Sequence, residues 1–254
     1  MAFHRCPKCR HAPLPADQRL PAACPACGVI LAKMVSGSGR PASRVARAAG
    51  VDATIHDDDI ARASWRELLF DPGDASSRPA LWARSALLLA FSVWGAVLAL
   101  ADVETGEMMK SFIHGPLLIF HEAGHMIFRL GGEWMMVFGG TLAQLLMPAV
   151  MAVALLIKNR DPFGASLGLW LFGVSLLDVA PYVYDALEPQ LMLLSGQTGE
   201  AGGHDWIYLL NSMNLLRRAH GLATFVHLVG TLIVLAAIAW GGWLLSRQWK
   251  ALLA

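Results

Sequence analysis

The feature that most constrains this chain is a run of 24 residues, Trp134–Ile157, without one charged side chain. Crossing the ~30 Å hydrocarbon core of a bilayer takes about 20 apolar residues at 1.5 Å each. A backbone in that setting must satisfy its own hydrogen bonds, which selects a helix. Four further segments meet or approach the requirement: Ser85–Ala101 and Gly221–Ser246 without charge, Ser111–Phe128 with only Glu122, and Pro162–Tyr184 with only Asp178. The expectation is an all-α polytopic membrane protein of about five transmembrane helices. Composition agrees: 56% of residues are hydrophobic and 15% charged, against about 25% charged in soluble domains. Trp82, Trp94, Trp134, Trp170, Trp206, Trp240, Trp243 and Trp249 fall mostly near the expected span ends, as interface anchors do. A net charge of +1 offers no basic field, so no nucleic-acid partner is expected.

The N-terminal third is different. Of 20 Lys and Arg, 12 precede residue 85, and all four cysteines lie in the first 27 residues. They form two pairs, Cys6-Pro-Lys-Cys9 and Cys24-Pro-Ala-Cys27. Thiolates three residues apart on a tight turn aim at one point, and two such turns complete the closed Cys₄ shell of structural zinc. The competing readings are two disulfides or a redox pair. Residues 1–10 hold no apolar secretory core, so the head is expected in the reducing cytoplasm, which disfavours disulfides. A redox motif needs one pair in a βαβ setting. Residues 1–35 are therefore expected to form a small zinc ribbon, with a protein partner of its own. Residues 36–80 are expected to be a linker containing a short amphipathic helix at Trp65–Phe70, and 81–254 the membrane domain. Arg84 and the basic head predict a cytoplasmic N-terminus. With five spans, however, Lys158, Arg160, Arg247 and Lys250 would fall outside.

Ionisable groups within spans are costly and mark function. Ser111–Phe128 contains His121-Glu122-Ala123-Gly124-His125. With 9 His in the chain, chance gives this pattern roughly 0.01 times per chain. Residues i and i+4 share a helix face, so both imidazoles can hold one zinc ion, with Glu122 placed to take a proton from a water activated there. Paired packing histidines are the bland alternative.

Here the chain resembles the site-2 protease superfamily of intramembrane zinc metalloproteases, over residues 111 to about 216. Besides His121–His125, Gly140-Thr-Leu-Ala-Gln144 is similar to the family's Gly-Pro-x-x-Asn element, and Asp178-Val-Ala-Pro181 to its Asn-x-x-Pro. The resemblance implies a membrane metalloprotease domain acting on membrane-protein substrates within the lipid bilayer, with Glu122 as general base. It also implies that Gln144, Asp178 and Pro181 lie near substrate or support the ligands. The family's third zinc ligand is an Asp followed by Gly. No Asp-Gly follows Pro181, so Asp205 after Gly202-Gly203-His204 ranks first, Asp185 second and His204 third. Two zinc ions are expected, one catalytic and one structural. Gly131–Gly140, with its glycine pairs, is expected as a re-entrant edge that pairs with substrate. His114, His220 and His227 read as packing histidines. A divalent-metal transporter or a non-catalytic metal-binding scaffold are the alternative functions.

Overall fold

The computed structural model describes residues 5–6, 11–12, 14, 23–27, 64–72 and 77–253. The chain divides into two compact units, Met1–Asp58 and Asp59–Ala254. In the first, Cys6 and Cys24 are buried, and Leu14 and Cys27 pack against them. The Cys6 amide donates to the His11 carbonyl at 2.9 Å. Cys9 and the expected linker residues 36–60 lie outside the described residues.

The second unit is helical, and no strand occurs among the described residues. Helix α1 is Trp65–Phe70, opened by a capping box in which Ser64 Oγ accepts from the Glu67 amide and Glu67 reaches back to the Ser64 amide. A helix thus forms at the expected place, and Trp240 Nε1 donates to its Leu69 carbonyl. There follow α2 (Arg78–Ala99), α3 (His114–Phe128), α4 (Glu133–Ile157), α5 (Pro162–Asp185), α6 (Asp205–Ser212) and α7 (Ala219–Leu253).

Among the described residues four helices are long and apolar enough to cross a membrane: α2, α4, α5 and α7 with the turn that leads into it. The fifth expected span is the shorter α3, 15 residues or about 22 Å at 1.5 Å each. Pro116 is the reason. Proline is tolerated only in a helix's first turn, where its missing N–H has no partner to lose, so the helix starts at His114 and not at Ser111. The chain between α2 and α3 is taken up by a 3₁₀ turn at Glu107–Lys110.

Helix α5 is central: two thirds of its apolar window is buried, against about a fifth in the other three. Trp170, Val174 and Leu177 pack with Leu98 of α2, Leu117 of α3 and Val234 of α7. Close approach of α3 to α4 depends on Gly124 and Gly139, whose backbones leave no room for a Cβ between them. Those glycines explain a second difference from expectation. Gly131–Gly140 is not an extended edge; it is a 3₁₀ turn (Arg129–Gly131) and then helix from Glu133. Its glycines serve helix contact, and only Gly132, at φ 89°, breaks the helix.

The four long helices share two ends. Arg84, Asn159, Pro162 and Gln248 surround one cavity, so α2 starts where α4 ends, α5 starts and α7 ends. At the opposite end Tyr184 stacks on His220 and Trp134 Nε1 donates to Ser212 Oγ. Helix α3 follows the end of α2 and precedes the start of α4, so it enters and leaves on that second side.

Candidate metal centre

Helix α3 presents His121 and His125 one turn apart, and α4 packs on that face. His121 Nδ1 lies 3.1 Å from Gln144 Oε1. Gln144 Nε2 donates to Asp178 Oδ2 at 2.9 Å, which turns the amide oxygen toward His121. His125 Nδ1 lies 2.9 Å from the Met136 carbonyl. Both Nδ1 positions therefore carry the proton and donate, and both Nε2 lone pairs are free to face the same point. A hydrogen bond from the far ring nitrogen to a carbonyl is the usual support of a metal-binding imidazole.

The N-terminus of α6 brings the carboxylate. Asp205 Oδ2 is 2.8 Å from His121 Nε2 and 3.3 Å from His125 Nε2. Two imidazole lone pairs and a carboxylate oxygen this close repel unless a proton or a metal cation lies among them. Tetrahedral ligands at about 2.0–2.1 Å from zinc sit about 3.4 Å apart, which the 3.3 Å separation matches and the 2.8 Å one approaches. Glu122 belongs to the same cluster, with a carboxylate oxygen within 4.8 Å of the two histidine nitrogens.

Asp205 owes its position to the other two candidates. The Asp185 carboxylate accepts from the Gln190 and Leu191 amides through Oδ1, at 2.7 and 2.9 Å. Its Oδ2 lies 3.2 Å from His204 Nε2. His204 in turn caps α6, accepting from the Ile207 amide, and stacks on Tyr182 with ring centroids 4.2 Å apart. The Tyr182 hydroxyl accepts from the Asp205 amide at 3.1 Å. Asp185 and His204 are buried and pair with each other. They clamp the 186–203 loop so that α6 starts at the right place.

Asp178, buried in α5, takes Gln144 on one oxygen and His114 Nδ1 on the other at 2.9 Å. Pro181 is buried in α5 beside Tyr182 and does not line the cavity. His220 stacks on Tyr184, and His227 Nε2 donates to the Ala99 carbonyl, both packing roles. The sequence did not reveal three contributors: the Met136 carbonyl, the Tyr182 hydroxyl, and Gly140. An added Cβ at Gly140 would lie 2.7 Å from both His121 Nε2 and His125 Nε2. The Gly140-Thr-Leu-Ala-Gln144 motif held that last signal, since a glycine four residues before a ligand-supporting Gln occupies the same helix face.

The cluster lines a cavity of about 700 Å³, with His114, Glu122, Gln144, Asp178 and Tyr182 on its walls. A hairpin-like turn closes one side: Met192 and Thr198 form an isolated antiparallel bridge, and Met192 and Leu194 are exposed.

The N-terminal unit holds a second candidate. Cys6, Cys24 and Cys27 bring their sulfurs within 4.8 Å of one another, with Cys6 Sγ 3.7 Å from Cys27 Sγ. Sulfurs bound to one tetrahedral zinc at about 2.3 Å are about 3.8 Å apart, so the spacing is consistent with a small zinc-binding element. Cysteine sulfurs and a His₂-carboxylate set are both donor types that zinc accepts.

The described residues form a helical fold with four helices long and apolar enough to span a membrane and two candidate metal sites. No protein-family profile, curated protein or solved structure matches the chain.

Proposed function

We propose that this chain is an intramembrane zinc metalloendopeptidase similar to the site-2 proteases, which hydrolyses peptide bonds of membrane-protein substrates. The observation that carries the reading is the convergence of His121, His125 and Asp205 beside Glu122 on the wall of a 700 Å³ cavity. His121, His125 and Asp205 would hold the catalytic ion. Zinc bound there would supply Lewis acidity to the scissile carbonyl and lower the pKa of the attacking water. Glu122 would take a proton from the attacking water and deliver it to the leaving amine. Gln144 and the Met136 carbonyl fix the two imidazole rings, and Asp178 fixes Gln144. A substrate helix must unwind to expose its peptide bonds. The Met192–Thr198 turn, which lines the cavity, would meet that unwound segment, in the role first expected of Gly131–Gly140.

A structural zinc in the Cys6, Cys9, Cys24 and Cys27 element, which recruits a protein partner, belongs to the same proposal. So does the cytoplasmic N-terminus. Four crossings put Arg78, Arg84, Lys158, Arg160, Arg247 and Lys250 at one end, where five would have split them, and that basic end faces the cytoplasm.

The test uses proteoliposomes containing the full chain and single-span helices carrying glycine and proline near one end. Wild type cleaves and Glu122→Gln does not, while both hold the same zinc. Cleavage by Glu122→Gln, or undiminished zinc in His125→Ala, would refute the mechanism.

A further inference from the structure

The end of the bundle opposite the histidine cluster holds a second cavity, about 370 Å³, between the start of α2, the α4–α5 turn and the last turns of α7. Its walls are mainly polar: Arg84, Asn159, Arg160, Asp161 and Gln248, with Phe163 behind them. Neither arginine takes part in the chemistry above.

The cavity is built, not incidental. Arg84 Nη1 donates to Gln248 Oε1 at 3.3 Å, and the guanidinium lies 5.4 Å over the Phe163 ring. Gln248, buried at 3% exposure, is itself held by donation to the Pro72 carbonyl. This arrangement orients the guanidinium and uses one of its five N–H donors. Arg160 stands at φ 49° in the turn that ends α4, where the Asp161 amide donates to the Leu155 carbonyl at 2.9 Å. Asp161 caps α5 through the Gly164 amide and adds one negative charge to the wall. Among the described lining residues two are arginines and one is an aspartate, a lining that favours an anionic ligand.

The level in the membrane agrees. Trp82 and Trp249 meet edge to face at 5.2 Å, Trp249 Nε1 donates to Ser85 Oγ, and Trp82 is 67% exposed. Tryptophan gathers at the headgroup layer, and basic pockets between helix ends on the cytoplasmic side take anionic headgroups.

We propose that this cavity binds the headgroup phosphate of an anionic phospholipid, with Arg84 and Arg160 as its charged ligands and the Asn159 and Gln248 amides beside them. One lipid held there ties α2, the α4–α5 turn and α7 together at the membrane surface. The site stands whether or not the histidine cluster is catalytic.

The test measures lipid binding to the full detergent-solubilised chain by native mass spectrometry. The lipids are phosphatidylglycerol and phosphatidylcholine, titrated separately, and inorganic phosphate is added as a competitor. Wild type is expected to prefer phosphatidylglycerol at least tenfold. Arg84→Gln and Arg160→Gln each lose most of that preference, Arg84→Lys keeps part of it, and Lys250→Gln, outside the cavity at the same end, keeps all of it. Equal binding of the two lipids by wild type overturns the proposal. So does a loss in Lys250→Gln as large as in Arg160→Gln, which would mean diffuse surface charge. Displacement of the lipid by millimolar inorganic phosphate would assign the cavity to free phosphate, against the lipid. If Arg84→Gln fails to fold, the Arg160→Gln and Lys250→Gln pair decides alone.

Discussion

Replacing Gly140 by Ala is the sharpest single perturbation the structure offers. The new methyl would lie 2.7 Å from His121 Nε2 and His125 Nε2 and 2.6 Å from His125 Cε1. Ordinary contact begins near 3.4 Å, so the rings or the helices must give by about 0.7 Å. Neither ring is free to move, because His121 is tied to Gln144 and His125 to the Met136 carbonyl. Helix α4 cannot back away as a body without opening the Gly124–Gly139 contact. Ligand distances in a working metal site hold within about 0.2 Å, so a 0.7 Å displacement is several times what the site absorbs. Overpacking a buried helix contact also costs about 1–3 kcal/mol of stability. The expected result is a loss of membrane-site zinc affinity of about 100-fold, at the level seen when ligand-supporting groups are removed, with the chain still folded. The assay is competition with a fluorescent zinc chelator on detergent-solubilised protein, together with thermal unfolding followed by circular dichroism. Wild-type zinc affinity in Gly140→Ala would refute the placement of the ion between His121, His125 and Gly140. Gly115→Ala, where a Cβ meets nothing within 4 Å, is the control and should change neither quantity.

Three further outcomes separate the roles assigned to individual residues. Asp205→Asn should lose the membrane-site zinc outright, whereas Asp185→Asn should keep it with affinity about 10–100-fold weaker, because Asp185 acts through His204 and α6; a complete loss in Asp185→Asn and none in Asp205→Asn would exchange their roles. Cys24→Ser should lower bound zinc by one ion per chain and leave Glu122-dependent cleavage intact, read by zinc counting and the proteoliposome assay; an unchanged count would remove the structural metal. Leu177→Ala, at the centre of the α5 core and 1% exposed, should destabilise the fold by about 2–5 kcal/mol, measured by unfolding; a smaller effect than the exposed Leu89→Ala would contradict the placement of α5.

Much of the fold is written in the sequence. Trp134–Ile157 and Pro162–Tyr184 are helices because apolar length leaves a backbone no other way to satisfy itself in hydrocarbon, and their bounds in the structure differ by a residue at most. The capping pair Ser64 and Glu67 fixes α1 locally. The spacing of His121 and His125 puts two imidazoles on one face, since that follows from 3.6 residues per turn alone.

What hydropathy could not supply was the number of crossings. Ser111–Phe128 has the composition of a span, yet Pro116 sets where the helix can begin, and the chain on either side returns it to the face it came from. Glycine pairs likewise mean two things in sequence, a break or a close contact, and only the partner helix distinguishes them; Gly139 is a contact because Gly124 faces it.

The sequence by itself determined the long helices, their capacity to span a membrane and the two-histidine face, because each follows from interactions within a few residues along the chain. Only the tertiary structure decided which acidic residue joins His121 and His125, that Asp185 and His204 clamp the loop before it, and that Arg84 meets Gln248 164 positions away. These pairings depend on how an irregular loop and separate helices pack in space, and chain periodicity carries no record of that distance.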